Sequence, residues 1–408
     1  MTEQEFIQRT FSAYYRTHYK EITPPSSLGQ REFGFLLSRE KVMVRHKGFA
    51  TPEELQKFIL SNTPADVYYS SAYYERPTEP MEKKGWLGAD LVFDIDSDHL
   101  ETPCKRDHDF WTCETCNNTG RGNKPQTCPD CGGTKFRMEA WLCEKCLDAA
   151  KRETQKLLDF LASDFGFSPE KTVICFSGQR GYHVHIEEPD VRTFDQEARK
   201  EIADYITGTG LRLELHGLVE TGKRIEGIGP DLDDYGWSGR IARGVYDILS
   251  SSSPEALKEI DGISARTAKA LRDNRNSILE SWGKVTPWRT RNIGLKTWMN
   301  LASKGVVRQT SLIDTVVTTD IHRLIRLPLT LHGKTGLKAM EVPLQMLDRF
   351  DPLKEAVAFG EGTLRLFVND AHAFRIGDKT YGPYYREEVE LPTGAAVYLL
   401  CKRAAKLV

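Results

Sequence analysis

Paired cysteines are the feature of this sequence that most restricts its fold. Six of the nine cysteines form C-x-x-C pairs at positions 113/116, 128/131 and 143/146, and Cys104 precedes them. The N-terminal segment lacks the apolar stretch of a secretory signal, so these pairs predict metal ligands rather than disulfides. We therefore expect a metal-stapled insertion at residues 104–146 with little core of its own.

Two nested sets of ligands are predicted within this insertion. The C-x2-C-x11-C-x2-C spacing around Gly-rich turns is typical of a zinc ribbon, whose four thiolates are Cys113, Cys116, Cys128 and Cys131. The outer residues form a second set, which consists of Cys104, His108, Cys143 and Cys146. One structural zinc with the other cysteines free, or a crossed pairing of Cys104 with Cys113 and Cys116, is the alternative to two.

The charge and hydropathy of the chain argue against two classes of protein. The chain has 408 residues, with 56 basic and 58 acidic side chains. That balance argues against a protein that coats nucleic acid through net charge alone, although it is compatible with a local basic groove. No run of 18 apolar residues occurs, so no membrane association is expected and we predict a cytoplasmic protein.

The order of apolar patterns predicts an α/β (α+β) chain with two insertions. Strand patterns extend to about residue 191 and return after residue 305, where the β-branched run "DTVVTTD" at 314–320 is one of the predicted strands. Helix formers dominate the intervening segment. The predicted domains are a core of residues 1–191 plus 283–408, the zinc-binding insertion at 104–146, and a mainly helical insertion at 192–282.

Two aspartates end an apolar run in "LVFDID", residues 91–96. Residues i and i+2 of a strand point to the same face, so Asp94 and Asp96 place two like charges side by side. Such a pair suits Mg²⁺ or Mn²⁺, which prefer hard oxygen ligands. The alternative is a strand end at which one aspartate caps the next turn. We expect the neighbouring Asp90 and Asp98 to be solvated.

A Gly-rich turn with basic side chains follows in "SGQRGYHVHI", residues 177–186. Ser177, Arg180 and His183 converge on this turn, and the guanidinium offers a planar fork of donors to a phosphate. The sequence therefore favours an anion site over a plain hairpin turn with an exposed arginine.

A basic stretch with interleaved leucines lies later in the chain. Residues 288–338 contain nine lysines and arginines against two acids, which suits a polyphosphate or a nucleic-acid backbone. The chemically notable members of the part from 314 to 336 are Asp314, Asp320, Arg323, Arg326, His332 and Lys334.

The three stretches together resemble one family, the small catalytic subunit of the archaeal and eukaryotic DNA primase. The resemblance rests on "VFDID", then "SGxRGxH", then "LIRLPxxLHGKTG", and it covers most of the chain outside the insertions. It implies the archaeo-eukaryotic primase core, with central mixed β-sheets flanked by helices. It also supports a zinc site at Cys143 and Cys146, where the family has a C-x-x-C before a helix.

The resemblance also implies roles for individual residues. Asp94, Asp96 and Asp314 match the three aspartates that hold two divalent cations, and Asp320 is the second candidate for the third position. The positions that match nucleotide contacts are Ser177, Arg180, His183, Arg326 and His332, and Arg45 lies in a strand that approaches the active site. Gln179 stands where some relatives have a second arginine.

The implied activity is template-directed, de novo synthesis of short primers from nucleoside triphosphates on single-stranded DNA, in the archaeal cytoplasm. The implied partner is a separate large subunit that carries an iron–sulfur cluster and forms a heterodimer with the small one. A relative that extends primers in repair and a non-catalytic, zinc-containing nucleic-acid binder are the alternatives.

One further motif lies in the helical insertion. The stretch "LKEIDGISARTAKAL" at 257–271 has the pattern of a helix-hairpin-helix, whose turn can offer backbone N–H groups to a DNA phosphate. Ser264 stands where a second glycine is usual, and an ordinary helical connection is the preferred interpretation.

Overall fold

The computed structural model describes residues 1–37, 42–221, 224–226, 229–284, 286–290 and 292–408. The α-helices of this part are α1 Glu3–His18, α2 Pro52–Asn62, α3 Lys105–His108, α4 Glu144–Asp159, α5 Gln196–Thr207, α6 Gly236–Ser251, α7 Pro254–Lys258, α8 Ala265–Asp273, α9 Arg275–Ser281, α10 Leu295–Gln309, α11 Thr315–Thr319, α12 Pro352–Glu355 and α13 Thr393–Cys401.

The strands of the described residues are β1 Phe33–Leu37, β2 Val42–Lys47, β3 Pro64–Ser70, β4 Ala72–Tyr74, β5 Trp86–Ala89, β6 Leu91–Asp96, β7 Phe110–Cys113, β8 Thr119–Arg121, β9 Phe136–Glu139, β10 Thr172–Phe176, β11 Gly181–Ile186, β12 Val219–Thr221, β13 Arg224–Glu226, β14 Leu324–Arg326, β15 Met340–Glu341, β16 Thr363–Ala371, β17 Phe374–Ile376, β18 Lys379–Tyr381, β19 Tyr384–Pro392 and β20 Ala405–Leu407.

The chain divides into two compact units. The first comprises Met1–Thr154, Ser168–Lys200 and Leu312–Val408, and the second comprises Gln155–Phe167 and Glu201–Ser311. The second unit overlaps the predicted helical insertion over residues 201–282 and extends beyond it to Ser311. The predicted domain bounds stay a prediction.

Two four-stranded sheets form the centre of the first unit. One has the strand order β14-β3-β1-β2, and the other has the order β15-β10-β11-β6. Every strand pair of the described residues is antiparallel. The first sheet buries Phe33 and Phe35 of β1 in one apolar cluster with Phe11 and Tyr15 of α1. The α/β (α+β) fold class predicted from the sequence is confirmed, although the central sheets, which were expected to be mixed, are antiparallel in the described residues.

One predicted strand is a helix in the structure. The β-branched run after Asp314 forms the short helix α11, although its residues have strand propensity. The Asp314 carboxylate accepts a hydrogen bond from Val316 N at 3.0 Å and so caps the helix. An N-cap satisfies backbone donors that a strand would pair with a neighbour, and here this local bond outweighs propensity.

The second unit is mainly helical in its described residues and has an aromatic core of its own. Trp288 packs edge-on against Trp282 and Trp298, with ring centroids 5.6 and 5.2 Å apart. Helices α7 and α8 form the predicted pair, and Gly262 between them has a φ of +73°. An ordinary helical connection stays the preferred interpretation of this pair, and DNA binding stays the alternative.

Asp90 is buried, and the expectation that it is solvated was wrong. Its carboxylate accepts a hydrogen bond from Arg31 Nη2 at 2.6 Å and another from the Tyr73 hydroxyl at 2.7 Å. The sequence could not indicate this pair, because Arg31 lies 59 residues earlier in the chain. The pair fastens the start of β6 to the segment before β1.

We expect Asp90→Ala to destabilise the first unit strongly. Removing one partner of a buried ion pair leaves an uncompensated charge, which costs about 3–5 kcal/mol. Chemical denaturation measures this loss, and Asp370→Ala, at an exposed position of β16, is the matched control with little expected effect. A loss below about 1 kcal/mol, as for an exposed pair, would contradict a structural role for Asp90.

Candidate active site

The end of strand β6 carries the two predicted metal-binding aspartates on one face. Leu91, Phe93 and Ile95 point to the opposite face and are buried, which fixes the strand. Asp94 and Asp96 alternate with them and are less buried. Asp96 also caps the following turn, because its Oδ1 accepts from Asp98 N at 2.9 Å. The turn cap therefore holds for Asp96, and the metal site stays a prediction.

Strand β11 lies directly beside these aspartates. His183 pairs with Asp94 and Gly181 pairs with Asp96 across the antiparallel ladder. A Cβ on Gly181 would lie 2.5 Å from the Ile95 carbonyl oxygen, so only glycine permits this approach. The "SGQRG" turn is thereby held against the acidic strand end.

Asp314 is the third acid at this place. Its backbone N–H donates to the Asp94 carbonyl oxygen at 2.8 Å. The runner-up, Asp320, lies at the far end of α11, where its Oδ1 accepts from His322 N at 2.9 Å. The structure thus brings Asp314, and not Asp320, against strand β6.

Burial controls the protonation of the paired aspartates. It raises the pKa of Asp94 to about 6, and the nearby Asp314 charge adds to this while Arg323 opposes it. Burial also raises the pKa of Asp96 to about 6, together with the charge of Asp98. Such carboxylates resist ionisation on their own, so a bound cation would stabilise their ionised form strongly.

His183 faces the same carboxylates as a neutral imidazole. Its Nε2 lies 3.5 Å from Asp94 Oδ1, and burial lowers its pKa to about 4. Its Nδ1 is buried and has no hydrogen-bond partner among the described residues. At neutral pH the ring therefore offers hydrogen bonds and no charge.

Arg326 is paired with the buried Asp66 carboxylate, and His332 lies beside this pair, with its Nδ1 4.0 Å from Asp66 Oδ1. Arg326 Nη1 donates to Asp66 Oδ1 at 2.6 Å, and its Nη2 donates to the Tyr68 hydroxyl at 3.0 Å. Burial holds the pKa of His332 well below its usual range, and its Nδ1 accepts from Lys334 N at 3.1 Å. Arg326 is therefore a neutralised cation in the structure.

The remaining predicted nucleotide contacts have protein partners as well. Ser177 Oγ accepts from Gly181 N at 3.3 Å and closes the turn. Arg45 Nε donates to Glu32 Oε1 at 3.0 Å on the first sheet, and Lys84 pairs with the same carboxylate. Arg180 is bound to Asp98 and Asp109 and is 1% exposed.

Two cations outside the predicted set of nucleotide contacts also lie at this site. Arg323 is half-buried, its charge acts on Asp94 and His183, and it has no ion-pair partner in the described part of the chain. Lys402 follows α13, donates to the Ala140 carbonyl, and has its pKa lowered to about 8 by burial and by Arg180. The basic stretch could have indicated Arg323, whereas no sequence signal indicates Lys402.

The cysteine insertion contains two separate clusters of ligands. Within each cluster the ligand atoms lie within 4.8 Å of one another, and the clusters are Cys104, His108, Cys143, Cys146 and Cys113, Cys116, Cys128, Cys131. This grouping is the nested one and not the crossed one.

The geometry of both clusters fits zinc. The sulfur pairs Cys113–Cys131, Cys116–Cys128 and Cys104–Cys146 are each 3.6 Å apart. A tetrahedral zinc with bonds of about 2.3 Å to sulfur needs ligands roughly 3.8 Å apart. Both the four-thiolate set and the set of three thiolates and one imidazole could therefore bind zinc.

Acidic side chains on a strand end, with cations near them and separate zinc-type clusters in an α/β fold, are the arrangement expected of a nucleotidyltransferase. The sequence model of the family described as DNA primase small subunit matches residues 125–343. In the described residues, no helix combines the length and apolar character that a bilayer span requires.

Curated relatives agree with this match over nearly the whole chain. The chain is 33% identical over 399 residues to the DNA primase small subunit PriS of Cenarchaeum symbiosum, which covers 98% of this chain and 97% of the relative. It is 34% identical over 422 residues to the same-named protein of Methanococcoides burtonii, covering 98% and 97%. It is 30% identical over 406 residues to that of Nitrosopumilus maritimus, covering 100% and 99%.

The chain therefore belongs to the DNA primase small-subunit family. It is an enzyme, a nucleotidyltransferase that synthesises primers, and the predicted resemblance is confirmed. Neither the primer-extending repair enzyme nor the non-catalytic binder is favoured.

Proposed function

We propose that this chain starts primers de novo on single-stranded DNA at the site formed by Asp94, Asp96 and Asp314. The observation that carries the proposal is the close register of β6 and β11, with Asp314 bonded to the backbone of Asp94. This arrangement brings together three acids from segments more than 200 residues apart. They lie beside a turn and a loop that are rich in cations.

The three aspartates would hold the two Mg²⁺ or Mn²⁺ ions. Asp96 and Asp314 each use one oxygen to cap backbone N–H groups, and their other oxygens have no donor among the described residues. Bound divalent cations supply charge neutralisation and lower the pKa of an attacking 3′-hydroxyl. The rigid strand end sets where these oxygens point before substrate arrives.

The side chains opposite the acids would bind the nucleoside triphosphate. Arg323 and Lys334 have no ion-pair partner among the described residues, so we assign them the largest share of phosphate neutralisation. The neutral His183 and the Ser177 hydroxyl offer hydrogen bonds. His332 completes the proposed set together with Arg326 and Arg45, whose smaller share follows from their pairing with Asp66 and Glu32. Preorganised donors of this kind stabilise charge that develops on the leaving pyrophosphate.

The remaining proposals follow from the family. The small-subunit name of the relatives supports a separate large subunit as partner. The family resemblance further implies an iron–sulfur cluster in that subunit and a heterodimer as the working form. The two clusters support two structural zinc ions per chain. We place the enzyme in the archaeal cytoplasm.

Primer-free synthesis tests the proposal directly. Wild-type protein, with single-stranded template and nucleoside triphosphates but no primer, is expected to make short products with Mg²⁺ or Mn²⁺. Parallel reactions with ribo- and deoxynucleotides identify the preferred substrate. Products that arise only when a primer is supplied would instead support the primer-extending alternative.

Acidification is expected to weaken Mn²⁺ binding to the aspartates. With a pKa of about 6 at Asp94 and Asp96, protons compete with the cation as pH falls from 7 to 5. The competition lowers affinity by about 10-fold for each carboxylate over that range. Mn²⁺ titration of the wild-type protein, followed by electron paramagnetic resonance, measures it, and an affinity that stays constant from pH 7 to 5 would contradict the competition.

Without a divalent cation, the same raised pKa values have the opposite effect on the stability of the fold, which increases on acidification. The folded-state pKa of about 6 lies above the ordinary value of 3.8, so the folded protein binds more protons than the unfolded chain between these values. These groups therefore make the protein more stable as pH falls from 7 to 5. Denaturation of the wild-type protein at both pH values, in buffer without Mg²⁺ or Mn²⁺, should show this gain in the free energy of unfolding. A decrease that occurs in wild type and not in Asp94→Asn would contradict it.

A further inference from the structure

Both terminal nitrogens of Arg180 are paired within the protein, while its Nε is buried without a hydrogen-bond partner among the described residues. Its Nη1 donates to Asp109 Oδ1 at 2.9 Å, to Asp109 Oδ2 at 3.0 Å and to the Trp141 carbonyl oxygen at 3.2 Å. Its Nη2 donates to Asp98 Oδ1. The guanidinium is 1% exposed, so two carboxylates already neutralise it away from solvent.

One end of this arrangement is the outer Cys/His cluster. Asp109 Oδ1 lies 2.7 Å from Nδ1 of His108, whose Nε2 is 3.6 Å from the Cys146 sulfur. A carboxylate that holds the distal nitrogen of a ligating histidine fixes the orientation of the ring. Asp109 also accepts from Trp141 N at 3.1 Å and is 3% exposed, so its position is fixed.

The other end is the acidic strand end. Asp98 binds Arg180 through its side chain and donates its backbone N–H to Asp96 Oδ1 at 2.9 Å. The Arg180 carbonyl oxygen accepts from Ser97 N at 3.2 Å. Arg180 therefore holds the turn after Asp96 through both its side chain and its backbone.

We infer that Arg180 is a positioning residue that joins the outer Cys/His cluster to the metal-binding end of β6, and that it does not bind the triphosphate. This inference rests on the proposed function of Asp94 and Asp96. A triphosphate could reach the guanidinium only by displacing it from Asp98 and Asp109. The connected groups run from His108 through Asp109, Arg180 and Asp98 to Asp96.

The two possible roles of Arg180 predict different effects of a substitution. A positioning residue acts on the carboxylates, so its loss weakens Mn²⁺ binding even when no nucleotide is present. A triphosphate ligand acts on the substrate, so its loss raises the KM for nucleotide and leaves nucleotide-free Mn²⁺ binding unchanged.

The test uses the full chain with Arg180→Lys and Asp109→Asn. Lysine keeps the charge but cannot bridge two carboxylates, and asparagine keeps the size but loses the charge that holds both Arg180 and His108. We expect nucleotide-free Mn²⁺ affinity, measured by electron paramagnetic resonance, to fall by about 10-fold in each variant. Zinc content and thermal unfolding are recorded for every sample.

Controls make the outcomes distinct. Arg137→Gln, an exposed arginine on β9 of the same insertion, should leave Mn²⁺ and zinc binding unchanged. Wild-type Mn²⁺ affinity in both test variants, with only the nucleotide KM raised in Arg180→Lys, overturns the inference. If Arg180→Lys does not fold, Asp109→Asn decides alone. Unchanged Mn²⁺ affinity in Asp109→Asn overturns the inference, whether or not zinc is lost.

A different experimental result would contradict the proposed function itself. In that case Asp94→Asn binds nucleotide-free Mn²⁺ as tightly as wild type does, so the measured site is elsewhere. The inference about Arg180 is judged only against an Mn²⁺ signal that Asp94→Asn abolishes.

Discussion

Asp94→Asn is expected to abolish primer synthesis while the protein stays folded. Asparagine has nearly the size of aspartate but lacks the charge that a divalent cation needs. Loss of a single preorganised electrostatic group typically costs about 10²–10³ in rate, and loss of a cation ligand should cost at least the upper end of that range. A primer-free synthesis assay with radiolabelled nucleotide detects a loss of this size.

The fold should tolerate this change better than most buried substitutions. Burial raises the pKa of Asp94, so an ionised carboxylate opposes folding at neutral pH, and a neutral amide removes that cost. The free energy of unfolding without a divalent cation should therefore stay equal to wild type or rise. Full zinc content in the variant would confirm that the cysteine clusters remain intact.

Variants of the other acids provide matched comparisons. Asp96→Asn and Asp314→Asn should lose activity as Asp94→Asn does, because all three acids meet at the end of β6. Asp320→Asn, at the other end of α11, should retain most activity. Near-wild-type synthesis by both Asp94→Asn and Asp96→Asn would remove these residues from the catalytic site.

Cys146→Ser is expected to be the most destabilising single change in the zinc insertion. Cys146 is fully buried, and its cluster partner His108 is 8% exposed. Structural zinc contributes about 10–16 kcal/mol of apparent binding free energy, so an outer cluster that cannot hold it loses much of the stability of the surrounding core. Thermal unfolding and zinc analysis should show a large decrease in melting temperature and a loss of about one zinc per chain.

The equivalent change in the inner cluster should have a local effect. Cys116 and Cys131 are exposed, and the inner cluster lies among short strands with few buried side chains. Cys116→Ser should lose one zinc per chain and open the ribbon to protease, while the melting temperature of the core changes little. One zinc in the wild-type protein, or equal destabilisation by the two serine variants, would contradict two sites with different roles.

Local patterns predicted much of the core correctly. The alternation around Asp94 and Asp96 gave their shared face, because the two-residue period of a strand is a property of the chain itself. The C-x-x-C spacing gave the four ligands of the inner cluster and two of the outer one, because the short loop between two cysteines fixes their separation. The strand predicted at 314–320 was wrong, since strand propensity could not reveal the helix cap that Asp314 supplies.

The partners of the charged residues were not predictable in this way. Arg180, Arg326 and Asp90 have features of exposed or ligand-binding groups in the sequence, yet each is buried against an opposite charge. Asp66 lies 260 residues before Arg326. A sequence pattern reports which groups are present and says nothing about which distant carboxylate will neutralise them.

The sequence by itself determined the acidic strand end and the C-x-x-C pairs, because these depend on spacing within short segments, and its motifs carried the family resemblance that implied the class of enzyme. Only the tertiary structure decided which cations remain available to a phosphate. Burial makes an unpaired charge costly, so the folded protein pairs Arg180 and Arg326 with carboxylates. Arg323 is left without an ion-pair partner in the described residues, beside the carboxylates of the site.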